Sequence, residues 1–210
     1  MPKTSVTDGL GRPNAMIRGF LSKVKTTIEQ QRMSSKIKKY MGTISQILGY
    51  HTARYPGVEQ DEVYESSYQH KHHGSTTCSS CADSTKTTFC DELFDLSCHE
   101  LGCRKEKLVK RERLQTALTQ GHTPSPAIHL DLIASGDTVM KSGLDRDLIA
   151  MRDSVITFEM EGAGVWDSLP CLVVKGVCDY ADSHKNKIWQ PYAAATGAAC
   201  MKALLDEWSF

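Results

Sequence analysis

The sequence lacks the features that would place the protein in a membrane or outside the cell. No apolar run approaches the roughly 18 residues that are needed to cross a bilayer. Residues 1–5 include one lysine, but no apolar segment follows them, so they do not predict a secretory signal. An excess of either charge is also missing, because 25 Lys and Arg residues balance 25 Asp and Glu residues. We therefore expect a cytoplasmic protein with a small-molecule ligand, and neither a nucleic acid nor a membrane as a partner.

The length and composition fit one globular α/β domain, or a smaller domain with a long insertion. The chain has 210 residues and 40% of them are hydrophobic, well above the content of a disordered chain. Eight cysteines are many for an intracellular protein, but without a secretory signal a disulfide framework is the less favoured explanation. Cys171, Cys178 and Cys200 lie in apolar segments and are interpreted as small buried hydrophobic residues.

Patterning divides the chain into three segments. Residues 1–54 form a helical part, in which one apolar stripe runs from Met16 to Ile28 and a second follows a break at residues 33–35. Residues 55–126 form an irregular insertion that contains Cys and His, and we expect it to be mobile in part. Residues 127–210 form a C-terminal α/β half.

In the C-terminal half, strand patterns alternate with helical patterns. Strands are predicted at residues 127–133, 155–158 and 171–177, and helices at residues 144–151, 162–166 and 191–208. The alternation predicts a parallel sheet, and the apolar third strand suits its buried centre. Each predicted strand is followed by an acid, namely Asp137, Glu161 and Asp179, at the edge where open α/β sheets bind ligands. One such carboxylate is usually a helix cap, but three in succession favour a site.

Two stretches resemble the purine nucleoside phosphorylase and methylthioadenosine nucleosidase superfamily. The first is Phe-Glu-Met-Glu-Gly-Ala-Gly at residues 158–164, and the second is Leu-Val-Val-Lys-Gly-Val-Cys-Asp-Tyr-Ala-Asp at residues 172–182. Residues 178–187 and 189–196 are similar to the fungal branch, in which this domain often forms the N-terminal part of large immune-receptor-like proteins. The resemblance covers residues 127–208, and less specifically residues 10–70, and implies a phosphorylase/hydrolase-like fold with a mixed or parallel central sheet flanked by helices.

The resemblance implies a role for each matching residue in the cleavage of an N-glycosidic bond of a purine nucleoside or nucleotide. Asp179 matches the catalytic acid that hydrogen-bonds the purine N7, and Glu161 matches the acceptor of the ribose hydroxyls. Met160 matches an apolar contact to the sugar, and Thr138 and Val139 match positions that meet the base.

Flanking polar residues are interpreted as structural. Glu159 is expected to be a helix-capping or solvated acid, and Asp182, His184, Lys185 and Lys187 are expected to be surface or capping residues.

The family's early acid and its glycine-rich loop for phosphate or water have no counterpart in residues 1–60. The chain is therefore expected to begin partway through the family domain, and phosphate stays open as a co-substrate. An alternative function is a catalytically silent purine-binding or regulatory remnant of a larger receptor-like protein. The dimers and trimers of the family favour a homo-oligomer.

The cysteines between residues 78 and 103 leave two alternatives open. Cys78-x2-Cys81 has metal-ligand spacing, and a further seven candidate ligands surround it: His70, His72, His73, Cys90, Cys98, His99 and Cys103. A zinc ion would explain how so polar a segment stays ordered. The intervals are irregular, however, so a loop of reduced thiols without a metal is the default interpretation.

Overall fold

A computed structural model of the chain describes residues 14–47, 53–73, 78, 81, 93, 96–121, 125–166 and 168–208. Its elements are α1 (Ala15–Val24), α2 (Thr27–Gln46), α3 (Glu112–Gln120), β1 (Leu132–Ser135), α4 (Gly143–Asp153), β2 (Val155–Glu159), α5 (Gly162–Trp166) and α6 (Gln190–Glu207). A parallel strand pair among helices confirms the α/β class. Within these ranges, no helix combines the length and the apolar character that a membrane span requires.

Two N-terminal helices are present as predicted, but the break between them lies elsewhere. The chain turns at Thr26, whose hydroxyl accepts the Glu29 amide and caps α2. The predicted break at residues 33–35 is wrong, because these residues lie inside α2. The hydroxyls of Ser34 and Ser35 donate to the carbonyls of the preceding helical turn, so they do not compete with the helix.

The hydrophobic core lies between α2 and the C-terminal helix α6. Its buried members are Val24, Met33, Ile37, Ala199, Ala203 and Leu204. The alanines of α6 form the predicted small-residue face, which allows the two helices to approach closely. The core therefore joins the first and the last helices of the described chain.

The sheet consists of β1 and β2, paired in parallel with Ser135 opposite Glu159. The predicted strand at 155–158 is confirmed. The strand predicted at 127–133 begins only at Leu132, because Ile128 and Leu130 pack against the helical core instead of entering the ladder.

The strand predicted at residues 171–177 is wrong, since no ladder is formed there within the described chain. This segment packs against α6 instead. Leu172 and Val174 contact the helical core, and Gly176 lies directly against the backbone of α6. The segment is half-buried to exposed, with Val177 57% exposed, so the predicted position at the buried centre of a sheet is also wrong.

We predict that Gly176→Ala destabilises the protein by about 1–3 kcal/mol or more, the usual cost of overpacking. An added Cβ would lie 1.9 Å from the carbonyl oxygen of Ala193, so the segment would have to move away from α6. Gly42→Ala is the matched control, because a Cβ at this helical position meets nothing within 4 Å. It should be neutral or stabilising by up to about 1 kcal/mol. Urea unfolding measures both values, and equal stabilities would contradict the packing.

The insertion at 55–126 is less irregular than predicted where the structure describes it. Tyr64, His70 and Leu101 are buried, and Tyr64 forms an antiparallel bridge with Leu108. The nine-residue helix α3 was not anticipated, although Leu114, Ala117 and Leu118 stand at the i, i+3 and i+4 spacing of a helix. The described part of the insertion therefore contains buried residues and a defined backbone pairing.

Candidate functional site

The carboxyl ends of β1 and β2 are held together by hydrogen bonds to the start of α5. The Glu159 carboxylate accepts the amides of Glu161 and Gly162 at 2.8 and 2.7 Å. The Ser135 hydroxyl oxygen accepts the amide of Ala163 at 2.8 Å. Glu159 is 7% exposed, and its expected role as a cap is confirmed. This network fixes the position of the residues that follow β2.

The surroundings of Glu159 favour its ionised form. Burial opposes ionisation, but hydrogen bonds from Ser135 and from the amides of Gly162 and Glu161, with the nearby Lys175 cation, lower the pKa of Glu159. Because the pKa of Glu159 is lower in the folded than in the unfolded protein, ionisation of this carboxylate stabilises the fold. That stabilisation is fully present above the unfolded pKa of about 4.3 and is lost as the pH falls through the folded pKa.

We predict that Glu159→Gln lowers the free energy of unfolding at pH 7 by about 1 kcal/mol for each charge-assisted hydrogen bond weakened. The variant should also lose less stability than the wild type when the pH is lowered below about 4. Denaturant unfolding across that pH range measures both effects. Glu106→Gln, at an exposed position, is the control and should follow the wild-type curve. An unchanged curve for Glu159→Gln would contradict the capping role.

A cavity of about 320 Å³ opens beside this network. It is lined by Glu159, Glu161, Gly162, Val165, Cys171, Val173, Val174 and Lys175. Three valines make the lining mostly apolar, and Glu159, Glu161 and Lys175 are its charged members. The volume of the cavity lies at the small end of the range for small-molecule sites. The cavity is a small and mostly apolar opening beside the carboxyl end of β2.

Of the five predicted site residues, all of them described in the structure, Glu161 alone lines the cavity. The adjacent Met160 is 44% exposed. Thr138 and Val139 lie exposed on the loop after β1, where the Thr138 hydroxyl donates to Asp137 at 3.3 Å. Met160, Thr138 and Val139 are not among the residues that line the cavity.

Asp179 lies at the end of the segment that packs on α6, outside the lining of the cavity. Its carboxylate accepts the Ala181 amide at 2.9 Å and pairs with the Lys185 ammonium at 3.3 Å. A hydrogen bond from Asp179 to a ligand would therefore have to replace or share the contact with Lys185. The structure thus does not bring Asp179 and Glu161 into one cavity.

The expected surface position of Asp182 and His184 is wrong because both are buried, and the expected alternative, a capping role, fits Asp182. Asp182 accepts the His184 amide at 2.8 Å and lies 3.6 Å from the Arg146 guanidinium. Burial raises the pKa of Asp182, against the opposing effects of the His184 amide and Arg146. His184 stacks on Tyr64 of the insertion at 4.2 Å between ring centroids. Their polar character gave no signal of this burial, because the covering residues are distant in sequence.

Two groups of side chains in the insertion have the composition of metal sites. Nitrogen and sulfur atoms lie within 4.8 Å of one another in each group, which are His70, Cys98 and Cys103, and His72, Cys78 and Cys81. His73 belongs to neither, and its ring nitrogen contacts the Gln69 carbonyl. Cys90 lies outside the described residues. The sequence identified these candidate ligands but did not divide them into two sets.

No protein-family model matches the chain, and no solved structure matches it. Over 104 residues it is 40% identical to a protein of Hyaloscypha variabilis that is named a nucleotide-binding leucine-rich repeat (NLR)-like protein. The matched region covers 50% of this chain and 10% of that relative. The similarity therefore concerns a small part of a much longer protein.

Proposed function

We propose that the chain takes part in cleaving the N-glycosidic bond of a purine nucleoside or nucleotide, within the nucleoside phosphorylase and nucleosidase superfamily that its motifs resemble. The observation that carries this proposal is the position of Glu161. This residue matches the ribose ligand of the family, and it lines a cavity beside the carboxyl end of a parallel strand. Such strand ends are the usual ligand sites of open α/β sheets.

In this proposal, Glu161 recognises the sugar. Its carboxylate accepts hydrogen bonds from the ribose hydroxyls, and its negative charge stabilises the positive charge that develops on the sugar as the bond breaks. Met160 contacts the sugar face, while Thr138 and Val139 on the neighbouring loop contact the base. The apolar wall of the cavity excludes water from one side of the ligand.

Asp179 acts on the leaving base. The electron pair of the broken C–N bond moves onto the purine, and Asp179, which has to take up a proton before this step, donates that proton or a hydrogen bond from it to N7. Lys185, now paired with Asp179, has to release that carboxylate when the base binds. Water or phosphate forms the new bond to the sugar carbon.

Base release tests the proposal directly. The purified chain is incubated with adenosine, inosine, methylthioadenosine or ATP, with and without phosphate, and free base is separated by chromatography. We expect release from at least one substrate, and a requirement for phosphate would identify phosphorolysis. Absence of free base under every condition would contradict cleavage by this chain.

A second candidate function is purine binding without turnover, as a regulatory part of a larger receptor-like protein. Two observations favour it: the similarity to a small part of an NLR-like protein, and the ion pair that occupies the Asp179 carboxylate. Calorimetry that detects nucleoside binding while chromatography detects no free base would support this function over cleavage. Turnover with any of the four substrates would exclude it.

A further inference from the structure

The His70, Cys98 and Cys103 side chains converge at the spacing of a tetrahedral metal site. The His70 Nδ1 atom lies 3.5 Å from the Cys98 sulfur and 3.8 Å from the Cys103 sulfur. In a tetrahedron with Zn–S bonds of about 2.3 Å and Zn–N bonds of about 2.0 Å, neighbouring ligand atoms are about 3.6 Å apart. Both nitrogen–sulfur separations therefore match those around a bound zinc ion, and the two sulfur atoms lie within 4.8 Å of each other.

The second nitrogen of His70 shows which ring atom is free to bind a metal. Nε2 lies 3.0 Å from the carbonyl oxygen of Leu96. A carbonyl only accepts hydrogen bonds, so Nε2 carries a proton, and in the neutral ring the lone pair of Nδ1 faces the two sulfur atoms. A ring N–H donated to a backbone carbonyl is the usual support of a histidine that binds zinc.

A fourth ligand is available in the buried ring of His184. Its side chain is 2% exposed, and neither ring nitrogen has a hydrogen-bond partner. An unsatisfied buried polar group is costly and calls for an explanation. The ring lies perpendicular to that of His70, with centroids 5.3 Å apart, close to the about 5 Å expected for two histidines on one zinc ion.

The Asp182 carboxylate adds support on the other side of His184. It lies 3.9 Å from the His184 Nδ1 atom, so that a small movement of the ring would form a hydrogen bond there and direct Nε2 towards the metal. A carboxylate–histidine–zinc arrangement is common in such sites. The movement is needed, because the His184 nitrogen does not belong to the group of atoms that lie within 4.8 Å of one another.

We propose that His70, Cys98 and Cys103 bind a zinc ion and that His184 supplies the fourth ligand. Two thiolates and two neutral imidazoles form a closed set for this metal, typical of structural zinc. Such an ion would join the insertion to the loop of residues 179–187, which carries Asp179. Its role would be to hold that loop in place.

Metal content of the full chain tests the site. The protein is purified without chelator, and zinc per chain is measured by mass spectrometry for the wild type and for Cys98→Ser. We expect the variant to contain one zinc fewer per chain than the wild type, whether or not His72, Cys78 and Cys81 bind a second ion. Cys200→Ser, which changes a half-buried thiol of α6, is the control and should keep the wild-type content. Equal zinc content in wild type and Cys98→Ser would overturn the proposal.

Cobalt substitution of the wild-type chain provides a reading that does not depend on the folding of a variant. We expect Co²⁺ to give intense visible bands of tetrahedral geometry together with sulfur-to-metal charge transfer. Weak octahedral bands alone would contradict a thiolate site.

His184→Phe tests the fourth ligand. The phenyl ring keeps the stacking on Tyr64 but offers no nitrogen, so competition with a chelator should show zinc affinity lowered by about tenfold or more. An unchanged affinity would remove His184 from the site.

Discussion

Glu161→Gln is expected to weaken the binding of a purine nucleoside by about 10- to 100-fold, the value of one or two hydrogen bonds to a charged group. The glutamine keeps the size of the side chain but lacks the negative charge that would accept the ribose hydroxyls and stabilise a cationic sugar. The rate of base release should therefore fall by at least the same factor. Calorimetry measures the binding of the nucleoside, and chromatography of the free base measures the rate of release.

Glu112→Gln is the matched control for this prediction. It removes the same charge from an exposed position in the first turn of α3, and it should leave both binding and rate unchanged. If both variants behave like the wild type, Glu161 is not the ligand of the sugar. If both lose binding alike, the effect follows from total charge and gives no support to a specific contact.

Met33→Ala is expected to lower the free energy of unfolding by about 2–5 kcal/mol, the range for truncating a fully buried large side chain. Met33 has no exposed surface and lies in the core between α2 and α6, so the truncation leaves a cavity there. Urea unfolding followed by circular dichroism measures the change.

Ile28→Ala is the control for the core prediction. Ile28 lies on the same helix and is 64% exposed, so its truncation should cost about 0.5 kcal/mol or less. Similar losses for Met33→Ala and Ile28→Ala would contradict the orientation of α2. The orientation of α2 also determines which of its side chains pack against α6, the helix on which residues 171–177 lie.

The sequence predicted the features that depend on residues close together along the chain. The alanines of α6, the strand at Val155–Glu159 and the capping role of Glu159 all follow from residues within one or two turns. The break between α1 and α2 was misplaced because the serines inside α2 resemble capping residues. Their hydroxyls instead bond to their own helix.

Features that depend on distant residues were not predicted. The run at 171–177 has the composition of a central strand, but Gly176 lets it lie on the backbone of α6 instead of forming a ladder. His184 is buried because Tyr64, 120 positions earlier, covers its ring. For the same reason, the sequence showed the ligand types of the insertion but not that His70 joins Cys98 and Cys103.

The roles of Glu161 and Asp179 depend on both side chains reaching one ligand. A crystal structure of the chain with a bound purine nucleoside tests this most directly. We expect the ribose hydroxyls at the Glu161 carboxylate, and Asp179, released from Lys185, within hydrogen-bond distance of the purine. A nucleoside bound away from Glu161, or one that leaves Asp179 paired with Lys185 and out of reach of the base, would contradict these roles.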